Sequence, residues 1–304
     1  MKSSHKMYFI RTNVEKSINK SYFISMDIAE LLFLWRLVKM KKVTVSTLLK
    51  RRNNGEKLVM STAYDAIQSR LCMAAGIDFM LVGDSVAMTQ LGFDNTLPVT
   101  MEQMLSHTAA VRRGAPEAFV VFDMPFMSYQ TSDAEAMKNA GTALKSTGAD
   151  AVKLEGGAEY AGLVRKMTGA GIPVMGHIGL MPQRVQVCGG YKIVGRDAES
   201  ADKVLEDALA LQDAGVFAIV LECIPEELGR KVTEALCIPT IGIGSGKYCS
   251  GQVQVITDLL GMMEFKPKHA KRYAEIGQLM TEALKNYADE VRSGTFPTPE
   301  NTFQ

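Results

Sequence analysis

Four acidic residues follow short, largely apolar runs that are typical of buried strands. The runs are residues 79–82, 119–122, 151–154 and 218–221, and the acids after them are Asp84, Asp123, Glu155 and Glu222. In parallel β/α folds the carboxyl ends of the strands lie together at the edge where ligands bind. Any one of these acids could instead cap the helix that follows it. Four acids in the same position favour a single acidic, oxygen-rich site.

Asp84, Asp123 and Glu155 are predicted to bind a metal ion. Carboxylate oxygens from three successive strands, without His or Cys beside them, suit Mg²⁺ better than zinc. Lys153 lies two residues before Glu155 and therefore faces the same way on the predicted strand. Because a lysine that points into a barrel needs an anionic partner, we expect Lys153 to contact a substrate, to pair with one of these acids, or both.

Two further residues are candidates for this site, and a lone histidine such as His177 could instead be a structural residue. His177 ends a predicted strand at residues 173–177, and its place at the barrel mouth favours a role in the site. Glu222 ends a later strand, opposite the predicted metal ligands, where a general base would stand. Its alternative role is to cap the helix that begins near Pro225. We therefore predict a Mg²⁺-dependent enzyme in which the metal stabilises an enolate and Glu222 removes a proton from a small keto acid.

Composition fits a globular enzyme and argues against several other classes. The 304 residues carry a net charge of +1, which gives no electrostatic case for binding nucleic acid or an anionic membrane. No apolar run approaches the roughly 20 residues needed to cross a bilayer. The five cysteines form no C-x-x-C pair, which favours reduced thiols in a cytoplasmic protein over disulfides or structural zinc.

The first 39 residues differ from the rest of the chain. They contain seven Lys or Arg and three Asp or Glu, a net charge of +4, and residues 26–39 could form an amphipathic helix. A secretory signal with an apolar core and a small-residue cleavage site is not evident. We predict that residues 1–39 are an extension outside the fold and that residues 40–304 form a single catalytic domain.

Strand and helix signals alternate through residues 40–304. Besides the four runs above, strands are predicted at residues 58–64, 173–177, 239–243 and 253–256. Helices are predicted at residues 46–53, 66–75, 101–113, 132–147, 158–170, 200–214 and 268–291, and one more begins at Pro225. Asp65 and Thr100 are predicted N-caps, and Ser132 with Glu135 is predicted to form a capping box.

This α/β pattern predicts a single (β/α)8 barrel of the TIM type. The units occupy about 265 residues, and such a barrel typically takes about 250 residues. A doubly wound sheet is the alternative, but no G-x-G-x-x-G turn follows the first strand. The barrel would place all four acids at one rim.

Ten short stretches make the chain similar to the ketopantoate hydroxymethyltransferase family. In order they are TAYD (62–65), LVGDS (81–85), TLPVT (96–100), HTAAVRRG (107–114), DMPF (123–126), VKLEGG (152–157), GHIGL (176–180), GGYK (189–192), LEC (221–223) and IGIG (241–244). Each stretch alone is modest, but ten in this order are specific. The resemblance covers about residues 43–296.

The resemblance implies a phosphoenolpyruvate/pyruvate-like barrel that transfers a hydroxymethyl group from 5,10-methylenetetrahydrofolate to 3-methyl-2-oxobutanoate, forming 2-dehydropantoate in pantothenate biosynthesis. It implies that one Mg²⁺ per subunit associates with Asp84, Asp123 and Glu155, and that Glu222 accepts the proton. The residues implied to contact the keto acid are Asp84, Ser85, Asp123 and Lys153, to which the barrel-mouth position adds His177. Members of the family are cytoplasmic and commonly homodecameric.

Two other functions remain open. A lyase or aldolase of the same barrel type would use the same metal and enolate chemistry without folate, although the Lys-Lys-Cys-Gly-His segment of lyases in that group is absent. A catalytically silent binding or assembly protein is the third candidate, and the presence of all the expected acids argues against it. No motif indicates which residues would bind folate.

Overall fold

The computed structural model describes residues 42–303, and within them eight parallel strands close into a barrel. The strands are β1 (Leu58–Thr62), β2 (Phe79–Val82), β3 (Phe119–Asp123), β4 (Ala151–Glu155), β5 (Val174–Gly179), β6 (Ala218–Glu222), β7 (Thr240–Ile243) and β8 (Gly251–Gln254). Each strand pairs with the next, and β8 pairs with β1 to complete the ring. The predicted (β/α)8 barrel is confirmed, and the doubly wound sheet is excluded. The predicted extension, residues 1–39, lies outside the described residues and stays a prediction.

Helices alternate with the strands around the barrel. The longer ones are α1 (Val45–Asn53), α2 (Ala66–Ala74), α3 (Met101–Gly114), α4 (Asp133–Thr147), α5 (Ala161–Gly169), α6 (Ala198–Asp213), α7 (Glu226–Ala235) and α8 (Ile276–Ser293). Shorter helical turns are Val86–Thr89, Ala158–Tyr160, Pro182–Arg184, Val185–Cys188, Ile256–Leu259 and Pro299–Asn301. Across residues 42–303, none of the helices has the length and apolar character needed to cross a membrane.

Side-chain caps fix the beginnings of several helices. The Asp65 carboxylate accepts hydrogen bonds from the second and third backbone N–H groups of α2, and Thr100 caps α3 as predicted. The reciprocal capping box is found at Thr100 and Gln103. Only one of the two hydrogen bonds of the capping box predicted at Ser132 and Glu135 is present. Ser132 Oγ accepts from the Glu135 N–H at 3.2 Å, but the Glu135 carboxylate accepts from the Thr131 hydroxyl instead of returning to Ser132.

Several predicted boundaries differ from the structure because tertiary pairing overrides the local pattern. The eighth strand is Gly251–Gln254 and not residues 253–256, since Gly251 pairs with Leu58 and a helical turn begins at Ile256. The first strand stops at Thr62, two residues early, and the fifth continues to Gly179, which pairs with Glu222. The last helix begins at Ile276 and not at residue 268. The Ile276 N–H donates to the Leu260 carbonyl at 2.8 Å, so the preceding segment forms a loop held against that turn.

Two apolar cores hold the barrel together. One lies between the strands and the surrounding helices. The other fills the barrel interior below the acidic rim, where the rings of Phe79, Phe119 and Phe217 meet edge to face. Leu48 of α1, 1% exposed, belongs to this inner core. The interior is therefore packed and is not a pore, so a ligand can enter only at the rim where the acids stand.

Gly114, the last residue of α3, allows α3 to approach α2 closely. A Cβ atom at this position would lie 2.3 Å from the Ala66 carbonyl oxygen and 2.6 Å from the Ala66 Cα. Backbone atoms cannot move away as the end of a side chain can. Gly141, in the interior of α4, is different, because a Cβ atom there would meet nothing within 4 Å.

We expect Gly114→Ala to lower the stability of the protein by about 1–3 kcal/mol through overpacking. Gly141→Ala is the matched control and should raise stability by about 0.5–1 kcal/mol, because alanine is the better helix former. Thermal unfolding of the two variants and the wild type measures both effects. Equal shifts in the same direction for the two variants would contradict this account of the α2–α3 contact.

Candidate active site

A cavity of about 440 Å³ opens at the carboxyl ends of the strands. All the site residues predicted from the sequence line it: Asp84, Ser85, Asp123, Lys153, Glu155, His177 and Glu222. Asp123, Glu155 and Glu222 are the last residues of β3, β4 and β6, while Asp84 follows the end of β2 by two residues. The barrel therefore brings the predicted residues into one pocket. The roles assigned to them remain predictions.

The Lys153 ammonium group and the Asp123 carboxylate form a buried ion pair. Their side chains lie side by side in the register of β3 and β4, 2.7 Å apart from Nζ to Oδ1, and are 4% and 2% exposed. Although burial lowers it, the charges of Asp123, Glu155 and Asp84 raise the pKa of Lys153 above its usual range, so the lysine is a cation. Lys153 therefore pairs with a neighbouring acid, as expected. It also lines the open pocket, where it could contact a substrate.

Asp84 reaches the same place through a tight turn after β2. A Cβ atom on Gly83 would lie 2.7 Å from Ser85 Oγ, so a larger residue here would displace the Ser85 hydroxyl from its present position. The Asp84 backbone N–H donates to Asp123 Oδ2 at 3.1 Å, which holds the two acids next to each other. Ser85 Oγ lies 2.9 Å from the Tyr64 hydroxyl. The turn thus presents Asp84 and Ser85 to the pocket beside Asp123.

His177 lies between two carboxylates. Its Nε2 is 3.2 Å from Glu222 Oε2, and its Nδ1 is 3.6 Å from Glu155 Oε1. Neither contact has hydrogen-bond geometry, so both are ionic contacts and the Glu155 Oε1 atom accepts no hydrogen bond. Burial and Lys153 lower the pKa of His177, but the two carboxylates outweigh them and raise it to about 9. At neutral pH the ring is a cation that bridges Glu155 and Glu222.

Glu222 faces the pocket and does not cap a helix. Helix α7 begins at Glu226 with Pro225 as its N-cap residue, and no side chain caps it. The next residue, Cys223, has a positive φ of 48°, and its N–H donates to the Ile243 carbonyl at 2.9 Å. Burial and the charge of Glu222 raise the pKa of the Cys223 thiol to about 11, so this cysteine is a neutral thiol and not a nucleophile.

Negative charge exceeds positive charge at the inner end of the pocket. Four carboxylates (Asp84, Asp123, Glu155 and Glu222) face two cations (Lys153 and His177). Burial first, and then Asp123 and Glu155, raise the pKa of Asp84 well above its usual value. Burial also raises the pKa of Asp123 despite its pairing with Lys153. Raised carboxyl pKa values mean that this end of the pocket binds either protons or a further cation.

Sequence reasoning missed Gln183, which connects the acids to one another. Its Nε2 donates to Asp84 Oδ2 at 3.0 Å and to the Met124 carbonyl at 2.9 Å, and its backbone N–H donates to Glu155 Oε2 at 3.0 Å. The Gln183 Oε1 atom accepts from the Tyr129 hydroxyl at 2.8 Å. Gln183 lies in the helical turn Pro182–Arg184 that follows β5, and a single glutamine carries no spacing signal. Only the closed barrel shows that this turn bends back over β2, β3 and β4.

Among residues 42–303, no group of three or more His, Cys, Asp or Glu side chains is arranged so that it could hold a metal ion. Asp84 and Asp123 do adjoin, while Glu155 is turned toward His177 and the Gln183 N–H. Mg²⁺ in proteins is commonly bound by one or two carboxylates, with waters and substrate oxygens as the other ligands. A pair of adjoining carboxylates with excess negative charge fits that kind of site.

Comparisons with known proteins agree about the family. Residues 42–299 match a family model described as Ketopantoate hydroxymethyltransferase. The chain is 54% identical over 265 residues to a 3-methyl-2-oxobutanoate hydroxymethyltransferase of Carboxydothermus hydrogenoformans, covering 87% of this chain and 96% of that protein. It is 55% identical over 252 residues to a protein of the same name from Pseudothermotoga lettingae, covering 82% of this chain and 95% of that protein.

A solved structure is similar to the barrel as a whole. It is that of 2,3-dimethylmalate lyase, a member of the PEP mutase/isocitrate lyase superfamily, with a TM-score of 0.55. The sequence identity is 16%, and the match covers 85% of this chain and 93% of that chain. At this identity the likeness concerns the fold alone, and it supports the predicted (β/α)8 barrel.

The buried ion pair predicts a large effect of removing Lys153. We expect Lys153→Met to destabilise the protein by about 3–5 kcal/mol, because Asp123 is left as an uncompensated buried charge. Adding Asp123→Asn should restore part of the loss. Chemical denaturation of the wild type, the single variant and the double variant measures this. If Lys153→Met is as stable as the wild type, the ion pair does not compensate the acids as described.

Proposed function

Because the chain belongs to the ketopantoate hydroxymethyltransferase family, we propose that its pocket transfers a hydroxymethyl group to C3 of 3-methyl-2-oxobutanoate. The observation that carries the proposal is the position of Glu222. Strands β2 and β6 lie on opposite sides of the closed ring, so Glu222 faces Asp84 across the pocket. A small keto acid bound near Asp84 would therefore present its far end to a carboxylate that can remove a proton.

The proposed reaction replaces the C3–H bond of the keto acid with a C3–CH₂OH group. Glu222 takes the C3 proton, and the electron pair of that bond passes into the enolate. The nucleophilic C3 then forms a bond to the methylene carbon supplied by the donor, for which we propose 5,10-methylenetetrahydrofolate. The two bonds from that carbon to the folate nitrogens N5 and N10 break, and water supplies the hydroxyl group. The two nitrogens take up the second proton of that water and the proton held by Glu222, so tetrahydrofolate leaves. No change of oxidation state is required of the protein.

We propose that Mg²⁺ binds at Asp84 and Asp123. The fit rests on the two adjoining carboxylates, on the excess negative charge around them, and on the Glu155 Oε1 atom, which is buried and accepts no hydrogen bond. Glu155, the third acid predicted from the sequence, faces His177 and the Gln183 N–H and adds negative charge beside the pair. When bound, the cation neutralises the acids and polarises the oxygens of the keto acid. Lys153 adds a second positive charge beside the same oxygens.

Glu222 and His177 form the acid–base pair of the proposal. The His177 cation lies 3.2 Å from Glu222 Oε2 and stabilises the carboxylate before it accepts the proton. The same ring contacts Glu155, so its orientation is set from both sides. Because His177 is 2% exposed, we expect it to position Glu222 and to exclude water from the region around C3. Ser85, held by Tyr64, offers a hydroxyl to the substrate.

The proposal also includes three properties that the family resemblance implies. They are the folate donor, assembly into a homodecamer with one Mg²⁺ per subunit, and a cytoplasmic location. The keto-acid substrate is the part that the names of the relatives support directly. The family membership makes the transferase the leading function over a lyase of the same barrel type.

We expect the protein to exchange the C3 proton of 3-methyl-2-oxobutanoate with deuterium from the solvent when Mg²⁺ is present. Glu222→Gln should slow this exchange by about a hundred- to ten-thousand-fold, because the amide cannot accept the proton. Proton NMR in D₂O follows the C3 signal directly. The exchange should also stop when Mg²⁺ is removed with EDTA and return when it is added back.

Glu226→Gln is the matched control for this experiment. Glu226 begins α7, four residues beyond Glu222, and it is exposed and does not line the pocket. The control should exchange at the wild-type rate. If Glu222→Gln exchanges as fast as Glu226→Gln, Glu222 is not the base. If the wild type exchanges nothing even with tetrahydrofolate present, the proposed substrate is wrong.

A further inference from the structure

The Ser85 side chain does not cap the helical turn that it precedes. Ser85 is the N-cap residue of the turn Val86–Thr89, a position where a serine hydroxyl commonly accepts a hydrogen bond from the backbone. The Ser85 hydroxyl makes no such bond. It lines the pocket beside Asp84 instead. The hydroxyl is therefore available to a ligand, and its direction depends on whatever else it contacts.

The Ser85 hydroxyl is held from behind by Tyr64. The two hydroxyl oxygens are 2.9 Å apart. Tyr64 is completely buried and does not line the cavity. Burial raises the pKa of Tyr64 above its usual value, so the phenol keeps its hydrogen at neutral pH. Tyr64 therefore contacts Ser85 without touching a ligand in the pocket.

Two helices fix the position of Tyr64. Its backbone N–H donates to Gln68 Oε1 of α2 at 2.9 Å, and its carbonyl oxygen lies 2.7 Å from His107 Nδ1 of α3. Because a carbonyl oxygen can only accept, His107 Nδ1 carries the hydrogen of this bond. Gly114 lets the same two helices approach each other closely. The packing of α2 and α3 around the end of β1 therefore sets the position of the Tyr64 hydroxyl.

The direction of the hydrogen bond between Tyr64 and Ser85 follows from the acceptors around it. Among the described residues, Ser85 Oγ is the one acceptor that has hydrogen-bond geometry with the Tyr64 hydroxyl. The hydroxyls of Thr62 and Thr89 lie nearby, but each is bonded to a backbone group at 3.0 Å. If Ser85 donated to Tyr64, the Tyr64 hydrogen would be buried without a partner, which is unfavourable. Tyr64 therefore donates, and the Ser85 hydrogen is left for an acceptor in the pocket.

The geometry of the ring indicates which end of the keto acid meets this hydroxyl. In the proposed function C3 lies at Glu222 of β6, and β2 is on the opposite side of the barrel. The carboxylate and C3 are attached to opposite sides of the keto carbon, so the carboxylate lies on the β2 side with Ser85. An ionised carboxylate only accepts hydrogen bonds, which suits a hydroxyl that is held as a donor. Because the carboxylate keeps its charge when C3 loses its proton, this contact acts on binding and not on the chemical step.

We infer that Tyr64 is a positioning residue, whose hydroxyl holds the Ser85 hydroxyl as a hydrogen-bond donor to the carboxylate of the keto acid. This inference rests on the proposed function, and it deepens that function by adding a residue that sets substrate affinity without touching the substrate. The donor direction favours a substrate with an anionic end. Tyr64 takes no part in the transfer of the C3 proton to Glu222.

The test is calorimetric titration of 3-methyl-2-oxobutanoate into the full-length protein with Mg²⁺ present, together with the rate of deuterium exchange at C3 at saturating keto acid. Tyr64→Phe keeps the ring and removes the hydroxyl, and it should raise the dissociation constant about three- to tenfold, as expected for one hydrogen bond. The exchange rate at saturation should stay within about twofold of the wild type. In a Ser85→Ala background, Tyr64→Phe should change the dissociation constant by less than about twofold, because the hydroxyl that it orients is gone.

Tyr160→Phe is the matched control. Tyr160 is half-buried, and its ring packs edge to face against that of Tyr129. It does not line the cavity, and its hydroxyl makes no hydrogen bond with the other described residues. The control should bind the keto acid and exchange deuterium as the wild type does. The inference is overturned if Tyr64→Phe binds as tightly as the control, if it weakens binding equally with and without the Ser85 hydroxyl, or if it lowers the exchange rate instead of the affinity.

Failure of this inference can be distinguished from failure of the proposed function. If the wild type binds the keto acid and exchanges deuterium while Tyr64→Phe matches the control, Tyr64 is not a positioning residue and the proposed function stands. If the wild type binds the keto acid but exchanges none, the proposed reaction is wrong, and the affinities of the variants still decide the role of Tyr64. If the wild type binds no keto acid, both are overturned.

Discussion

The burial of several carboxylates in one pocket is the constraint on which the rest of the site depends. Asp84, Asp123 and Glu155 are each less than 5% exposed, and charged groups so far from water must be neutralised or paired. Lys153 and His177 supply part of the positive charge, and the raised pKa values of Asp84 and Asp123 show that it is not enough. A divalent cation would balance the remaining charge and would also bring in an anionic keto acid. The same deficit therefore explains the buried lysine and the cationic histidine, and it is the reason why we propose a metal ion at this site.

The barrel makes this arrangement rigid. The register of parallel strands places Asp123 beside Lys153 and Glu155 beside His177, so the ion pairs follow from backbone pairing and do not depend on flexible loops. Gln183 adds a connection between three strand ends by its contacts with Asp84, Met124 and Glu155. The loops at the mouth of the barrel surround these fixed acids and differ from them in charge and polarity. In a barrel of this type such loops determine substrate specificity.

Local patterns in the sequence predict the barrel and six of the seven inner site residues, and the family resemblance adds Ser85. Apolar runs predict strands, and the residues at the carboxyl ends of these strands lie at one rim of the barrel regardless of the conformations of the loops. Gln183 could not be predicted in this way, since its position depends on how the segment after β5 bends over the finished barrel. The reciprocal capping box at Thr100 was also missed, because Ser132 and Glu135 have the same spacing and only the competing Thr131 hydroxyl decides between them. Local patterns thus identify the strand ends better than the loops that cover them.

The most direct test of the account is to follow the carbon that is transferred. The full-length protein would be incubated with Mg²⁺, 3-methyl-2-oxobutanoate and 5,10-methylenetetrahydrofolate labelled with ¹³C at the methylene carbon, and the products analysed by ¹³C NMR. The account predicts a labelled hydroxymethyl carbon bonded to a quaternary C3, together with tetrahydrofolate. Consumption of a keto acid by carbon–carbon bond cleavage, with the label remaining in the folate, would contradict it and indicate a lyase.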